Sequence, residues 1–134
     1  MTEVKKPTVL VVDDEPQVIN LNTRVLTRGG FDCVGNANSG NQALSQLKTV
    51  AEPDAIVCDL DMPDGNGKFL HDELIRQGRQ TLAGRIFFVS GGANGKLQEF
   101  YDEMQTKGRL LQKPFRPEEL ITAVRKILLQ IELQ

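Results

Sequence analysis

Positive charge is in short supply in this chain. Its 16 Lys and Arg stand against 18 Asp and Glu, a formal net charge of -2. Without a basic excess, nothing would hold a nucleic-acid backbone, and no nucleic-acid partner is expected. Cysteine is scarce as well. Cys33 and Cys58 are far apart in the chain, in neither a metal-ligand nor a redox spacing, and they read as reduced packing thiols. Long apolar runs are missing. The run Val9–Val12 behind the basic pair Lys5-Lys6 is too short for a signal peptide, and no stretch could span a bilayer. A soluble cytoplasmic protein with no membrane partner is the expectation. Internal repeats, low-complexity stretches and linkers are also absent, so the 134 residues read as one domain, 1–134, with a core of about 7–130. The single histidine, His71, falls in a helical segment. It reads as a solvated or half-buried side chain rather than as a phosphoryl carrier.

What the chain does contain is a regular alternation. Short apolar runs rich in branched residues occur at Val9–Val12, Ala55–Cys58 and Arg85–Val89, with a weaker one at Arg109–Gln112 and a marginal one at Asp32–Gly35. Continuous apolar runs of this length suit strands covered on both faces, hence a parallel sheet. Between them lie five helical patterns, over 16–28, 41–50, 68–77, 96–106 and 117–132. Their apolar stripes include Val18, Ile19, Val25 and Leu26 in the first and Ala43, Leu44, Leu47 and Val50 in the second. The third offers Phe69, Leu70, Leu74 and Ile75, and the fourth Leu97, Phe100, Tyr101 and Met104. The last offers Leu120, Ile121, Val124, Ile127, Leu128 and Ile131. Gly29-Gly30, Gly78 and Gly108 punctuate helix ends, and Pro117 before Glu118-Glu119 marks a helix start. Strand and helix alternating five times predict a doubly wound α/β domain: one five-stranded parallel sheet with five helices and right-handed crossovers.

Ligands of such sheets gather at the carboxyl ends of the strands. The first strand ends on Asp13-Asp14, the third on Asp59 with Asp61 beyond it, the fourth on Ser90, and the fifth on Lys113. Any one of these could be turn chemistry, since Asp and Ser side chains bond nearby backbone. Several adjacent strand ends bearing acids, a hydroxyl and an amine are harder to explain that way. Two carboxylates ~4 Å apart repel by about 4 kcal/mol at an effective dielectric near 20, so a cluster of three requires a cation. Oxygen ligands on a short polar loop suit Mg²⁺. A carboxylate beside such an ion can act as a nucleophile toward phosphorus, with Lys113 and Ser90 contacting the phosphoryl oxygens.

Taken together, "VLVVDDEP", "DAIVCDLDMPDGNG", "RIFFVSGG" and "LLQKPF" resemble the receiver domain of two-component response regulators, in order and spacing, over nearly the whole chain. The style of the last two motifs leans toward receivers of hybrid histidine kinases. The resemblance implies a flavodoxin-like sheet of order 2-1-3-4-5. It implies Asp59 as phosphoacceptor, Ser90 as switch hydroxyl and Lys113 as phosphoryl contact, with a cis bond before Pro114. It implies Mg²⁺ held by Asp14 directly, Asp13 through water, Asp59, and the backbone carbonyl of Asp61. The function implied is two-component phosphorelay signalling: a conformational switch that takes its phosphoryl group from a sensor histidine kinase or histidine phosphotransfer protein and acts on an unknown downstream protein. Such a receiver promotes its own phosphorylation and dephosphorylation and is not an enzyme in the ordinary sense.

The chain departs from the family in three places. Leu110 stands where an aromatic often rotates inward on activation, "TKGR" replaces the usual small pair before it, and the "SGGANGK" loop is unusually rich in glycine. The Asp61 carboxylate adds a fourth acid that would modulate hydrolysis or metal affinity. Two other interpretations compete. A degenerate receiver, used as a phosphorylation-independent interaction module, would not need the full set of acids, hydroxyl and lysine that is present. A haloacid-dehalogenase-like phosphatase shares the D-x-D of Asp59-Leu60-Asp61, but there the D-x-D follows the first strand and the acidic pair comes late. "GGANGK" is one residue short of a phosphate-cradling loop and lacks the Ser or Thr after lysine. In the last helix Leu129 and Leu133 point away from the core stripe. They mark either a partner surface, such as a homodimer through that helix, or continuation into a further domain.

Overall fold

Side chains that alternate between two buried faces organise the centre of the molecule. The computed structural model describes residues 5–132, the last two by backbone alone. Five strands, β1 (Thr8–Val12), β2 (Asp32–Ala37), β3 (Ala55–Asp59), β4 (Ile86–Ser90) and β5 (Leu110–Gln112), pair in parallel in the order β2-β1-β3-β4-β5. Side chains of successive residues leave opposite faces of a strand. Leu10, Val12, Ile56, Cys58 and Phe88 therefore enter one apolar cluster, while Val9, Val11, Val57, Phe87 and Val89 enter another on the far face. The central strands are apolar throughout because helices cover both faces.

Two helices close the second face. α1 (Pro16–Arg28) carries Pro16 in its first turn, where a missing N–H costs nothing, and buries Ile19 and Leu26. α6 (Pro117–Glu132) buries Leu120, Val124 and Ile127 in the same cluster. Gly29 lets the two helices meet: a Cβ there would lie 2.7 Å from Ile121 Cγ1. The first face is covered by α2 (Gly40–Leu47), α3 (Gly67–Arg76), the four-residue α4 (Gln80–Ala83) and α5 (Gln98–Thr106). Ser39 Oγ caps α2 by accepting from Gln42 N–H at 3.0 Å, and Asn66 Oδ1 caps α3 by accepting from Phe69 N–H at 2.8 Å.

The sheet order and the five long helices agree with the sequence. Four details differ. α4 has no periodic signature, being a single turn. The 96–106 pattern divides into a 3₁₀ turn, Gly95–Leu97, and α5. α2 ends at Leu47 because Lys48 and Thr49 donate to the carbonyls three residues back, tightening the chain out of the helix and leaving Val50 54% exposed. On α3, Leu70 and Leu74 are one turn apart and face the sheet, so Phe69 and Ile75 fall at the rims of the stripe and are exposed. Ile131's side chain and Leu133 lie outside the described residues. Among the described residues no helix is long and apolar enough to cross a membrane.

Candidate phosphoacceptor and cation site

The parallel register brings the strand ends into line. Val12 is level with Cys58, Asp59 with Val89, and Ser90 with Gln112. The ladder continues one bond past each strand: Asp13 N–H donates to Ala37 O (3.0 Å), Leu60 N–H to Val89 O (3.0 Å) and Lys113 N–H to Ser90 O (2.7 Å). The backbones bearing Asp13, Asp59 and Lys113 are therefore fixed by the sheet rather than by mobile loops.

Carboxylate oxygens of Asp13, Asp14 and Asp59 lie within 4.8 Å of one another. Lys113 Nζ sits 3.6 Å from Asp13 Oδ2 and 3.6 Å from Asp59 Oδ1. Asp13 is 1% exposed and Asp59 8%. Asp13 Oδ1 accepts from Glu15 N–H at 2.9 Å, but Asp13 Oδ2 has no hydrogen-bond partner among the described residues. Burial drives the Asp59 carboxyl up to about 6. Lys113 opposes the rise, and the charges of Asp13 and Asp14 add to it. Burial also raises Asp13, against its backbone hydrogen bond and Lys113. Three acids thus face one ammonium, which the buried Asp13 Oδ2 meets as an ion pair and not as a hydrogen bond. Such an oxygen-only donor set, two positive charges short of balance, fits a hard divalent cation of the Mg²⁺ type.

The other expected residues are placed around this cluster. Ser90 is buried at the end of β4. Its hydroxyl donates to Gly92 O (2.7 Å) and accepts from Gly92 N–H (3.1 Å), so it is engaged with its own loop. A Cβ on Gly91 or Gly92 would meet nothing within 4 Å, which leaves that side of the site open. The Lys113-Pro114 bond is cis. Asp61 lies between buried Leu60 and Met62, but is itself exposed, and its carboxylate is not one of the three that gather. Leu110 is buried in the core cluster, 7% exposed. His71 is half-buried, edge-on to Phe100 with centroids 5.3 Å apart, and its Nδ1 lies 3.0 Å from Asp72 Oδ1. Cys58 is fully buried, and burial pushes its thiol well above the ordinary range, as suits a packing residue.

Two features were not legible beforehand. Arg109, half-buried, donates to Ala83 O (2.6 Å) and Ile86 O (3.1 Å) and stands over the Phe88 ring, tying β5 to the turn before β4. Asp64 bonds to Ser39 and Asn41 at the start of α2. The Asp64-Gly65 dipeptide announces a turn, but nothing in the sequence names partners more than twenty positions away.

Residues 9–125 match the family model described as response regulator receiver domain. The chain belongs to that family. As a receiver it is a signalling switch of two-component systems and not a classical enzyme. The chemotaxis protein CheY of Bacillus subtilis is 28% identical over 121 residues, spanning 90% of this receiver and 96% of CheY. Among solved structures, a sensor protein from Polaromonas sp. JS666 superposes with a TM-score of 0.75 at 28% identity, covering 95% of this chain and 99% of that one. The CheX-CheY-BeF3-Mg+2 complex from Borrelia burgdorferi shares the fold, with a TM-score of 0.75 at 21% identity over 90% of this receiver and 87% of that chain.

Proposed function

We propose that this receiver takes a phosphoryl group on Asp59 from a phosphohistidine of a sensor histidine kinase or phosphotransfer protein. It then works in the cytoplasm as a Mg²⁺-dependent conformational switch toward a downstream protein. The observation that carries this is the gathering of Asp13, Asp14 and Asp59, three carboxylates that share the single ammonium of Lys113. A merely structural cluster would not set three carboxylates against one ammonium.

Asp59 is suited to be the nucleophile. With its carboxyl raised only to about 6, it is ionised at neutral pH yet more basic than an ordinary carboxylate. One Asp59 oxygen attacks phosphorus, the P–N bond of the donor breaks, and the departing imidazole nitrogen takes up a proton. Asp13, Asp14, Asp59 and the backbone carbonyl of Asp61 would hold Mg²⁺, which when bound supplies charge neutralisation to the phosphoryl oxygens. Lys113, already at 3.6 Å from Asp59, follows the charge that moves onto the phosphoryl group. Ser90 Oγ would leave Gly92 O and donate to a phosphoryl oxygen, which re-sets the 91–95 loop and biases two conformers of the domain. With Leu110 already packed, that loop rather than an aromatic side chain carries the change outward. The same site, open at Gly91 and Gly92, admits the water that hydrolyses the aspartyl phosphate.

The test is labelling by acetyl phosphate with and without Mg²⁺, comparing wild type with Asp59→Ala. Labelling only of wild type and only with Mg²⁺ supports the proposal. Equal labelling of both proteins overturns it.

A further inference from the structure

A non-glycine residue with positive φ stands in the loop that carries Asp61. Asp64 has φ 58, a left-handed conformation that is unfavourable for an L-residue and persists where the surroundings impose it. Here they do. Asp64 Oδ2 accepts from Ser39 Oγ at 3.0 Å, and Oδ1 accepts from Asn41 Nδ2 at 3.0 Å. The backbone adds two bonds, Gly40 N–H to Gly65 O (2.7 Å) and Asn41 N–H to Asp64 O (3.2 Å). The first N–H groups of α2, which no helical carbonyl can satisfy, are thus spent on this loop. The approach is so close that a Cβ at Gly40 would lie 2.7 Å from Gly65 O, and one at Gly65 would lie 3.0 Å from Asn41 N.

The loop is held at its other end too. Leu60 N–H is bonded to Val89 O, and Gly67 N–H closes on Leu60 O at 2.9 Å. Asp61 and Pro63 therefore sit on a short span between the sheet anchor at Leu60 and the clamp at Asp64. Buried Met62 lies between them. The carboxylate of Asp64 does not belong to the acid cluster of Asp13, Asp14 and Asp59. Its bonds run in the opposite direction, into α2.

We propose that Asp64 is a positioning residue for the divalent cation. Clamped by Ser39 and Asn41, it fixes the 60–66 loop so that the Asp61 backbone carbonyl is presented to the Asp13, Asp14 and Asp59 carboxylates. This rests on the cation site argued above. It makes α2, which contributes no ligand, part of the support of that site, in the way that outer partners orient metal ligands elsewhere.

The experiment is Mg²⁺ titration of the unphosphorylated protein by isothermal calorimetry, with urea unfolding in parallel. Asp64→Gly keeps the left-handed backbone available and removes the clamp. Ser39→Gly and Asn41→Ala remove it from the other side and leave the Asp64 charge in place. The expected result is a dissociation constant raised about tenfold in Asp64→Gly, at the lower end of what outer-shell partners contribute. Asn41→Ala raises it too, and Asp64→Gly/Asn41→Ala raises it no further than Asp64→Gly alone. A change in urea midpoint with an unchanged dissociation constant overturns the proposal, and reduces the clamp to a stability device. Weakening in Asp64→Gly but in neither partner variant also overturns it, since that is a long-range charge effect. Failure of wild type to bind Mg²⁺ at all overturns the cation site itself, and this inference with it.

Discussion

Removing the negative charge of Asp59 stabilises the metal-free protein, although it removes the residue on which the proposed function depends. The Asp59 carboxyl rises from its ordinary 3.8 to about 6 on folding. At about 1.4 kcal/mol per pH unit, the ionised group destabilises the fold at neutral pH by about 3 kcal/mol if the site were dry. The edge is open to water beside Gly91 and Gly92, and screening leaves about 1–2 kcal/mol. Asp59→Asn keeps the shape, and Lys113 keeps Asp13 as its partner. Urea unfolding at neutral pH in EDTA therefore shows a higher midpoint for Asp59→Asn with an unchanged slope. With Asp59 as one of the proposed ligands, excess Mg²⁺ is expected to stabilise wild type by mass action more than the variant and to close the gap. The sign with pH follows from the same shift. Asp59 and Asp13 bind protons more tightly in the folded state, so wild-type stability without metal falls as pH rises from about 4 through about 6 and levels off beyond it. Asp59→Asn shows a smaller fall. A lower or equal midpoint for Asp59→Asn in EDTA refutes the electrostatic reasoning.

Three further outcomes are expected. Lys113→Met removes the principal influence holding Asp59 down, so Asp59 titrates above about 6 when its carboxyl carbon is followed by NMR; an unmoved titration contradicts the 3.6 Å contact. Gly67→Ala places a Cβ 2.9 Å from Asp59 O and 3.1 Å from Leu60 Cα, and thermal or urea unfolding shows a loss of about 1–3 kcal/mol, as overpacking against backbone costs; wild-type stability contradicts it. Self-association through α6 predicts that Leu129→Glu, at a position 58% exposed, lowers the weight-average sedimentation coefficient at high protein concentration. Identical sedimentation of the two proteins removes α6 as a dimer surface.

The strand ends explain why so much of this molecule could be read from its sequence. Runs such as Val9–Val12 and Ile86–Val89 are apolar on both sides because both faces are covered, and that pattern identifies a parallel sheet. Once the sheet is known, Asp13, Asp14, Asp59, Ser90 and Lys113 must share one edge, and their distances follow from the register. What stayed hidden depends on contacts between loops. The Asp64 clamp joins residues from separate turns, and its signal, an Asp-Gly pair, fits any turn. Arg109 opens a weak strand run in the sequence, which does not announce that its guanidinium serves the Ala83 and Ile86 carbonyls. The engagement of Ser90 with Gly92 depends on a rotamer choice that sequence pattern does not encode.

The central claim is that Asp59, and no other acid of the cluster, receives the phosphoryl group. Treating the protein with a phosphoramidate donor and Mg²⁺, reducing the acyl phosphate with borohydride, and sequencing the peptides by mass spectrometry locates the group directly. The account predicts conversion of Asp59 to homoserine, dependent on donor and on Mg²⁺, with Asp13, Asp14 and Asp61 untouched. Reduction at any of those three, or at none, contradicts it.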